Sequence, residues 1–228
     1  MAGKKVLIVL TSHDQLGDTG EKTGFWLEEF AAPYYAFKDA GYQIDLASPK
    51  GGRPPMDPKS DTEDTQTDDT KRFKNDQDAQ DHLDNTKILA SINPEDYDTV
   101  FYPGGHGPMW DLAYDKDSIN IIESFNKKGK FIGAVCHAPA ALLNAKGNDG
   151  NSIVAGKKVT AFTNSEEEEV GLKDDMPYLL ENRLKDLGGN YQKKGNWKEF
   201  TIKDGNLITG QNPASSKKVA QNIIESLQ

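Results

Sequence analysis

The sequence has a single cysteine and no long apolar run. One thiol in 228 residues, Cys136, excludes an internal disulfide and a metal site built from several thiolates, and it suits a reducing compartment. No stretch reaches the roughly 18–20 apolar residues of a membrane-spanning helix. The apolar run at 6–10 is too short for a signal-peptide core. We therefore expect a cytoplasmic protein with no membrane partner.

Basic charge is also scarce. There are 27 Lys and Arg residues against 36 Asp and Glu, which gives a net charge of −9, and no stripe of basic residues runs along the chain. This balance disfavours nucleic acid as a partner, because a phosphate backbone is bound mainly by clustered Lys and Arg. Neither a G-x-G-x-x-G pattern after the first apolar run nor a P-loop pattern is present, so nucleotide cofactors have no support.

Short apolar runs alternate with helical patterns along the chain. This alternation is typical of an α/β fold with a mainly parallel central sheet and helices on both faces. It predicts strands at 5–10, 42–47, 98–103, 131–135 and 158–162, a strand or hairpin at 200–209, and helices at 25–40, 80–89, 119–128, 176–187 and 215–227. Since no repeat and no long linker interrupts the pattern, we expect one domain over residues 1–228.

Residues 48–81 differ in composition from the rest of the chain. Turn-forming residues open this stretch, and residues 60–70 are dense in Asp and Thr. Such a composition supplies little apolar core, so a mobile polar excursion is the preferred interpretation. The alternative is a lid over a functional site.

The junction at Cys136 is the strongest local signal of chemistry. An apolar strand delivers the thiol to the start of a helix, and Pro139 suits the first helical turn. This is the arrangement of a nucleophile elbow, and a helix N-terminus lowers the pKa of a thiol placed there. His137 follows at once as a general base or acid. The alternative for a lone cysteine is a small buried core residue.

Acidic and glycine-rich segments provide candidate partners for this pair. The acidic run at 166–169 offers four carboxylates to orient the imidazole, of which we expect one to point inward. In the first helix, Glu29 is a candidate for a raised pKa, whereas Glu28 better fits a surface position. Gly104 and Gly105 follow a strand, where backbone N–H groups can approach a developing oxyanion.

Taken together, these pieces resemble the ThiJ/PfpI superfamily, of the class I glutamine amidotransferase-like type, and in particular its HchA-like branch of glyoxalase III and chaperone proteins. The resemblance covers nearly the whole chain, except that the acidic segment at 60–70 has no evident counterpart. The motifs that carry it are VLIVLTS (6–12), KTGFWLEEF (22–30) with Pro33, FYPGGHG (101–107), GAVCHAP (133–139), FTNSEE (162–167) and LITGQNPASS (207–216).

The resemblance implies a flavodoxin-like sandwich and a Cys–His–Glu triad. It assigns Cys136 as nucleophile, His137 as its partner, Glu167 as the acid and Glu29 as the glutamate that hydrogen-bonds the cysteine. Oxyanion and substrate binding fall on Gly104, Gly105 and the backbone N–H of His137. The family is usually homodimeric and needs neither a metal nor an organic cofactor.

Three functions follow from this combination of residues and resemblance. The leading one is a glyoxalase III-like lyase of the D-lactate dehydratase type, which converts methylglyoxal, a small 2-oxoaldehyde, to D-lactate without glutathione and so protects against stress. The second is a deglycase that repairs glycated proteins or nucleotides. The third is a holding chaperone for unfolded client proteins, or a redox stress sensor based on the thiol.

Overall fold

The computed structural model of the chain describes residues 3–228 and has a seven-stranded sheet at its centre. Its strands, in chain order, are β1 (Lys5–Val9), β2 (Gln43–Ser48), β3 (Lys87–Ile88), β4 (Thr99–Tyr102), β5 (Phe131–Val135), β8 (Thr201–Asp204) and β9 (Leu207–Gly210), with β6 (Lys158–Val159) and β7 (Asn190–Tyr191) forming a separate parallel pair. The order across the sheet is β3-β2-β1-β4-β5-β9-β8, and only the β8–β9 pair is antiparallel. The predicted α/β fold with a mainly parallel sheet is confirmed.

Helices cover both faces of the sheet. They are α1 (Leu27–Asp39), α2 (Asp68–Lys74), α3 (Gln77–Asp84), α4 (Lys116–Lys127), α5 (Asn164–Glu169), α6 (Leu180–Asp186) and α7 (Ser216–Leu227). Alternate residues of β1 enter two different apolar clusters, one shared with α1 and α7 and the other with α4 and α6. Side chains of a strand point to opposite faces in turn, so the continuous apolar run predicted as β1 is buried on both sides.

Gly41 directly follows the end of the first helix. It lies just beyond α1 with φ +79°, a left-handed conformation that a glycine adopts without steric penalty, and its N–H donates to the carbonyl of Lys38. One face of the helix packs into the core, where the side chains of Phe30 and Phe37 are fully buried.

Residues 48–81 contribute to the core, contrary to the expectation from composition. They contain two short 3₁₀ turns, α2 and the start of α3. The Phe73 ring of α2 is 5% exposed and meets the Phe30 ring edge to face, with centroids 5.5 Å apart. Asp57 is buried and accepts a hydrogen bond from Thr23 Oγ1. The packing of the Phe73 ring on Phe30 therefore holds this polar segment against α1.

Several predicted elements are shorter or displaced, among them the helix at 176–187, which begins only at Leu180. The helix predicted at 80–89 is α3, which begins earlier because the Asp76 side chain caps it by accepting from the Ala79 N–H at 3.0 Å. The strand predicted at 158–162 ends at Val159. Beyond it, the backbone leaves the ladder: the Phe162 N–H donates to the Cys136 carbonyl at 2.9 Å. Within residues 3–228, no helix is long and apolar enough to cross a membrane.

Candidate active site

Cys136 sits in a strained turn directly after β5. Its φ is +61°, a left-handed conformation that residues with a Cβ rarely adopt. Backbone hydrogen bonds hold it on both sides, from the Cys136 N–H to the Gly210 carbonyl at 3.0 Å and from the Phe162 N–H to the Cys136 carbonyl. Strain of this kind is characteristic of functional sites. The predicted elbow geometry is present.

The element after the elbow is a 3₁₀ turn, Ala138–Leu142, not an α-helix. Burial raises the pKa of the Cys136 thiol, and the neighbouring Glu29 carboxylate raises it further by charge and by hydrogen bonding. The predicted lowering of this thiol pKa by a helix N-terminus is therefore wrong. The resting side chain is a thiol, so the site needs a base to take its proton.

Glu29, in the first turn of α1, is fully buried beside the thiol. Burial raises the pKa of its carboxyl group to about 8, although interactions with Cys136 and the Gly104 N–H oppose the shift. Its Oε2 accepts from that N–H at 2.7 Å, and its buried Oε1 has no hydrogen-bond partner within residues 3–228. A charged Glu29 carboxylate repels a negative charge on the Cys136 sulfur, whereas a protonated carboxyl does not. The protonation of Glu29 and that of Cys136 therefore depend on each other. A neutral Glu29 is an O–H donor beside Sγ.

Gly104 is required by this close approach. A Cβ at this position would lie 2.6 Å from the Val135 carbonyl oxygen and 2.9 Å from Cys136 Cβ, and it would collide with Glu29 Oε2. The absence of a side chain lets the loop after β4 pass directly over the cysteine. This loop is thereby placed at the carboxyl end of the sheet, where open α/β folds bind their ligands.

Two backbone N–H groups are available beside the thiol. Gly105 and His137 both line the cavity at Cys136, and neither N–H donates to an acceptor within residues 3–228. Gly105 has φ +96°. Free backbone donors next to a nucleophile are what an oxyanion site requires. Their assignment to that role is a proposal taken up below.

The His137 ring lies between the thiol and Glu167. Its Nε2 is 2.6 Å from Glu167 Oε2, and its Nδ1 is 3.4 Å from Cys136 Sγ. Burial lowers the pKa of His137, with a further contribution from His106, so the ring is neutral at pH 7. The Glu167 pKa is lowered despite burial, through its contacts with His137 and His106. A carboxylate that accepts from Nε2–H leaves the Nδ1 lone pair facing the sulfur.

His106 is a site residue that the sequence reasoning did not single out. Its Nε2 lies 2.7 Å from Glu167 Oε1, and its ring packs on the His137 ring with centroids 4.0 Å apart. Glu167 therefore holds two imidazoles with its two oxygens. The available signal was the position of His106 directly after Gly104 and Gly105, in the loop that had already been placed at the sheet edge.

Two of the four glutamates at 166–169 point inward, not one. Glu166 and Glu167 are both buried, whereas Glu168 and Glu169 are exposed. Glu166 does not bond to either histidine and instead accepts from the Trp197 N–H and from the side-chain amides of Gln211 and Asn212. It also completes a capping box with Thr163 at the start of α5. Glu166 thus has a structural role, which could not be recognised from its position in a run of four glutamates.

His106, His137 and Glu167 also form a set of metal-type donors, with ligand atoms within 4.8 Å of one another. Each imidazole already shares its Nε2 proton with Glu167. A metal would have to displace both protons and the hydrogen bonds that fix the ring tautomers. We therefore treat the cluster as a hydrogen-bonded relay.

The cavity above Cys136 is small and largely apolar. Its volume is about 60 Å³, and its walls include the rings of Trp26, Phe162 and Trp197. Since one water needs about 10–15 Å³ of such space, the cavity has room for a small molecule of only a few non-hydrogen atoms. This size matches a three-carbon compound.

The fold and the site together define an α/β protein with a buried cysteine in a strained turn, two histidines hydrogen-bonded to one glutamate, and a buried glutamate on the first helix. Residues 22–226 match the DJ-1/PfpI family, and the chain belongs to this family. The sequence-based assignment to the ThiJ/PfpI superfamily is confirmed.

Several characterised proteins are similar over the full length. Glyoxalase 3 of Candida albicans is 33% identical over 98% of both chains, and HSP31 of Saccharomyces cerevisiae, a glutathione-independent glyoxalase, is 34% identical over 100% of both. Among solved structures, the Rapid Encystment Protein 24 kDa of Francisella tularensis superposes with a TM-score of 0.94 at 38% identity and 99% coverage of both chains. Glyoxalase III of Candida albicans gives 0.91 at 32% identity, covering 98% of this chain and 97% of that one.

Proposed function

We propose that this protein is a glutathione-independent glyoxalase that converts methylglyoxal and water to D-lactate, a lyase of the D-lactate dehydratase type with a Cys–His–Glu triad. The observation that carries the proposal is the placement of one thiol 3.4 Å from His137 Nδ1 and beside the fully buried carboxyl group of Glu29. The glyoxalase relatives of similar length support the same activity.

The first step is addition of the thiol to the aldehyde. His137 Nδ1 takes the proton of Cys136 as sulfur attacks the aldehyde carbon C1, and Glu167 stabilises the imidazolium that forms. In this proposal, the negative charge that develops on the aldehyde oxygen is stabilised by the N–H groups of Gly105 and His137, which both line the cavity. Returning the proton to that oxygen gives a hemithioacetal.

The second step moves a proton between the two carbons. His137 or Glu29 removes the C1 proton and the C2 oxygen gains a proton, which gives an enediol. The C1 hydroxyl then loses its proton as C2 gains one, which leaves a lactate thioester on Cys136. A pKa near neutral lets Glu29 both accept and donate a proton. Water hydrolyses the thioester to lactate and restores the thiol. No electron leaves the substrate, because C1 is oxidised as C2 is reduced.

The test is lactate formation from methylglyoxal with no thiol added. We expect D-lactate, measured with a stereospecific dehydrogenase, and a loss of at least about 1000-fold in kcat/KM for Cys136→Ala. Because the chain has one cysteine, alkylation with iodoacetamide modifies a single site and should abolish the same activity. Lactate released equally fast by Cys136→Ala would overturn the proposal.

A further inference from the structure

A second cavity opens directly outside the catalytic one. Trp26, Trp197 and Pro213 line both cavities and so form the neck between them. The outer cavity has a volume of about 290 Å³, and its remaining walls come from Glu28, Thr65, Thr67 and Ala214. Its surface is mostly apolar carbon, apart from the hydroxyl and carboxyl groups of Thr67 and Glu28, which bond to each other.

Trp197 is fixed in place at this neck. Its φ is +61°, which is unfavourable for a bulky side chain, and its side chain is 40% exposed. The Trp197 N–H donates to the buried Glu166 Oε1 at 2.9 Å, and its ring meets Phe162 edge to face at 5.6 Å. A buried carboxylate thus holds this exposed tryptophan in a strained conformation, and its ring forms a fixed part of the cavity wall.

The sizes of the two cavities indicate that a substrate would place its reacting carbons in the inner cavity and a larger substituent in the outer one. The inner cavity, at about 60 Å³, suits a compound as small as methylglyoxal, whereas the outer cavity, at about 290 Å³, has the space that a ring requires. A larger group attached to the ketone carbon therefore has to pass the two tryptophans into the outer cavity. Aromatic faces and apolar walls favour an aromatic or branched apolar group there, and the Glu28 carboxylate disfavours an anionic one.

We propose that the outer cavity, with Trp26 and Trp197 at its neck, is a second subsite that holds the distal group of 2-oxoaldehydes carrying an aromatic or branched apolar substituent. The inference rests on the proposed glyoxalase function and extends its substrate class. The reaction balances as before: phenylglyoxal and water give mandelate, with C1 oxidised and C2 reduced.

The experiment compares phenylglyoxal with methylglyoxal on purified full-length protein. We expect the wild type to convert both, and Trp197→Ala to lower kcat/KM for phenylglyoxal by about tenfold, mainly through KM, with a much smaller loss for methylglyoxal. Trp197→Phe, which keeps an aromatic ring, should recover most of the difference. Ala214→Phe narrows the outer cavity without touching the loop of Trp197, and it should lower phenylglyoxal turnover selectively.

Trp110→Ala is the matched control. This tryptophan stacks on His13 with centroids 5.0 Å apart and lines neither cavity, so the ratio of the two kcat/KM values should equal that of the wild type. Equal losses for both substrates in Trp197→Ala, or an unchanged ratio in both Trp197→Ala and Ala214→Phe, would overturn the subsite. A wild type that converts neither compound would overturn the glyoxalase function itself, and the subsite with it.

Discussion

At the scale of single residues, the site depends on Glu167 accepting from two imidazoles at once. His106 touches the cavity but acts on the thiol only through Glu167 and His137, which makes it a positioning residue. Its removal should free one oxygen of Glu167 and leave the His137 ring without its stacked neighbour. The hydrogen bond from the second histidine is what distinguishes this relay from a simple triad.

Two substitutions of His106 test the contribution of its hydrogen bond separately from that of its ring. We expect His106→Phe, which keeps a ring and loses the donor, to lower kcat/KM for methylglyoxal by about tenfold. His106→Gln keeps an N–H near the Nε2 position and should retain more activity. Because His106 contributes to lowering the pKa of His137, both variants should move the acidic limb of the pH–rate profile to higher pH.

A merely structural role for His106 would give a different result. Both variants would then lose activity in proportion to lost folding, and the acidic limb would stay where it is in the wild type. The pH profile of kcat/KM, measured on variants with native circular dichroism spectra, decides between the two.

At the scale of elements, the polar segment at 48–81 is anchored by α2. Phe73→Ala should reduce the free energy of unfolding by about 3 kcal/mol, because it removes a buried ring that packs edge to face on Phe30. The midpoint of urea unfolding measures this. Lys71→Ala changes an exposed residue of the same helix and should stay within about 0.5 kcal/mol of the wild type. Equal unfolding midpoints for Phe73→Ala and the wild type would restore the interpretation as a polar excursion that contributes little to the core.

At the scale of the whole molecule, Glu29 links the site to global stability. The pKa of its carboxyl is about 8 in the folded chain and about 4.5 in the unfolded one. Between these values the folded state holds a proton that the unfolded state has lost, so the contribution of Glu29 to stability falls as pH rises from about 4.5 to about 8.

Glu29→Gln removes this dependence. Relative to the wild type, we expect the variant to gain about 1–3 kcal/mol in unfolding free energy between pH 5 and pH 8.5, measured by denaturant titration at each pH. Glu28→Gln, one residue earlier and partly exposed, should show a smaller gain. Parallel stability curves for Glu29→Gln and the wild type would mean that Glu29 is already charged in the folded protein at neutral pH.

The surface of the molecule bears on the other functions proposed from the sequence. Two of the exposed large apolar side chains, Val170 and Trp197, line the cavity at Cys136, whereas Ile88 and Tyr114 do not. The exposed apolar surface near Cys136 is therefore part of the cavity wall. The deglycase, chaperone and redox-sensor functions, the homodimer, the cytoplasmic location and the single domain stay predictions.

Much of the fold was predicted correctly from local sequence patterns. The strand at 131–135 was predicted with its observed bounds, and the antiparallel hairpin of β8 and β9 lies within the predicted 200–209, apart from its last residue. Continuous apolar runs identify buried parallel strands because both of their faces are covered. The start of α3 and the end of β6 could not be predicted from the sequence. The Asp76 side chain caps α3, and a backbone hydrogen bond to Cys136 draws the chain away after β6.

By itself, the sequence determined the α/β architecture, the cysteine at a tight turn with a histidine beside it, and a glutamate on the first helix. These features depend on neighbours within a few residues. The tertiary structure alone decided that Glu166 is buried with partners of its own, that His106 joins the relay, and that the thiol pKa is raised. These properties depend on burial and on contacts between segments 30 or more residues apart, which no local pattern specifies.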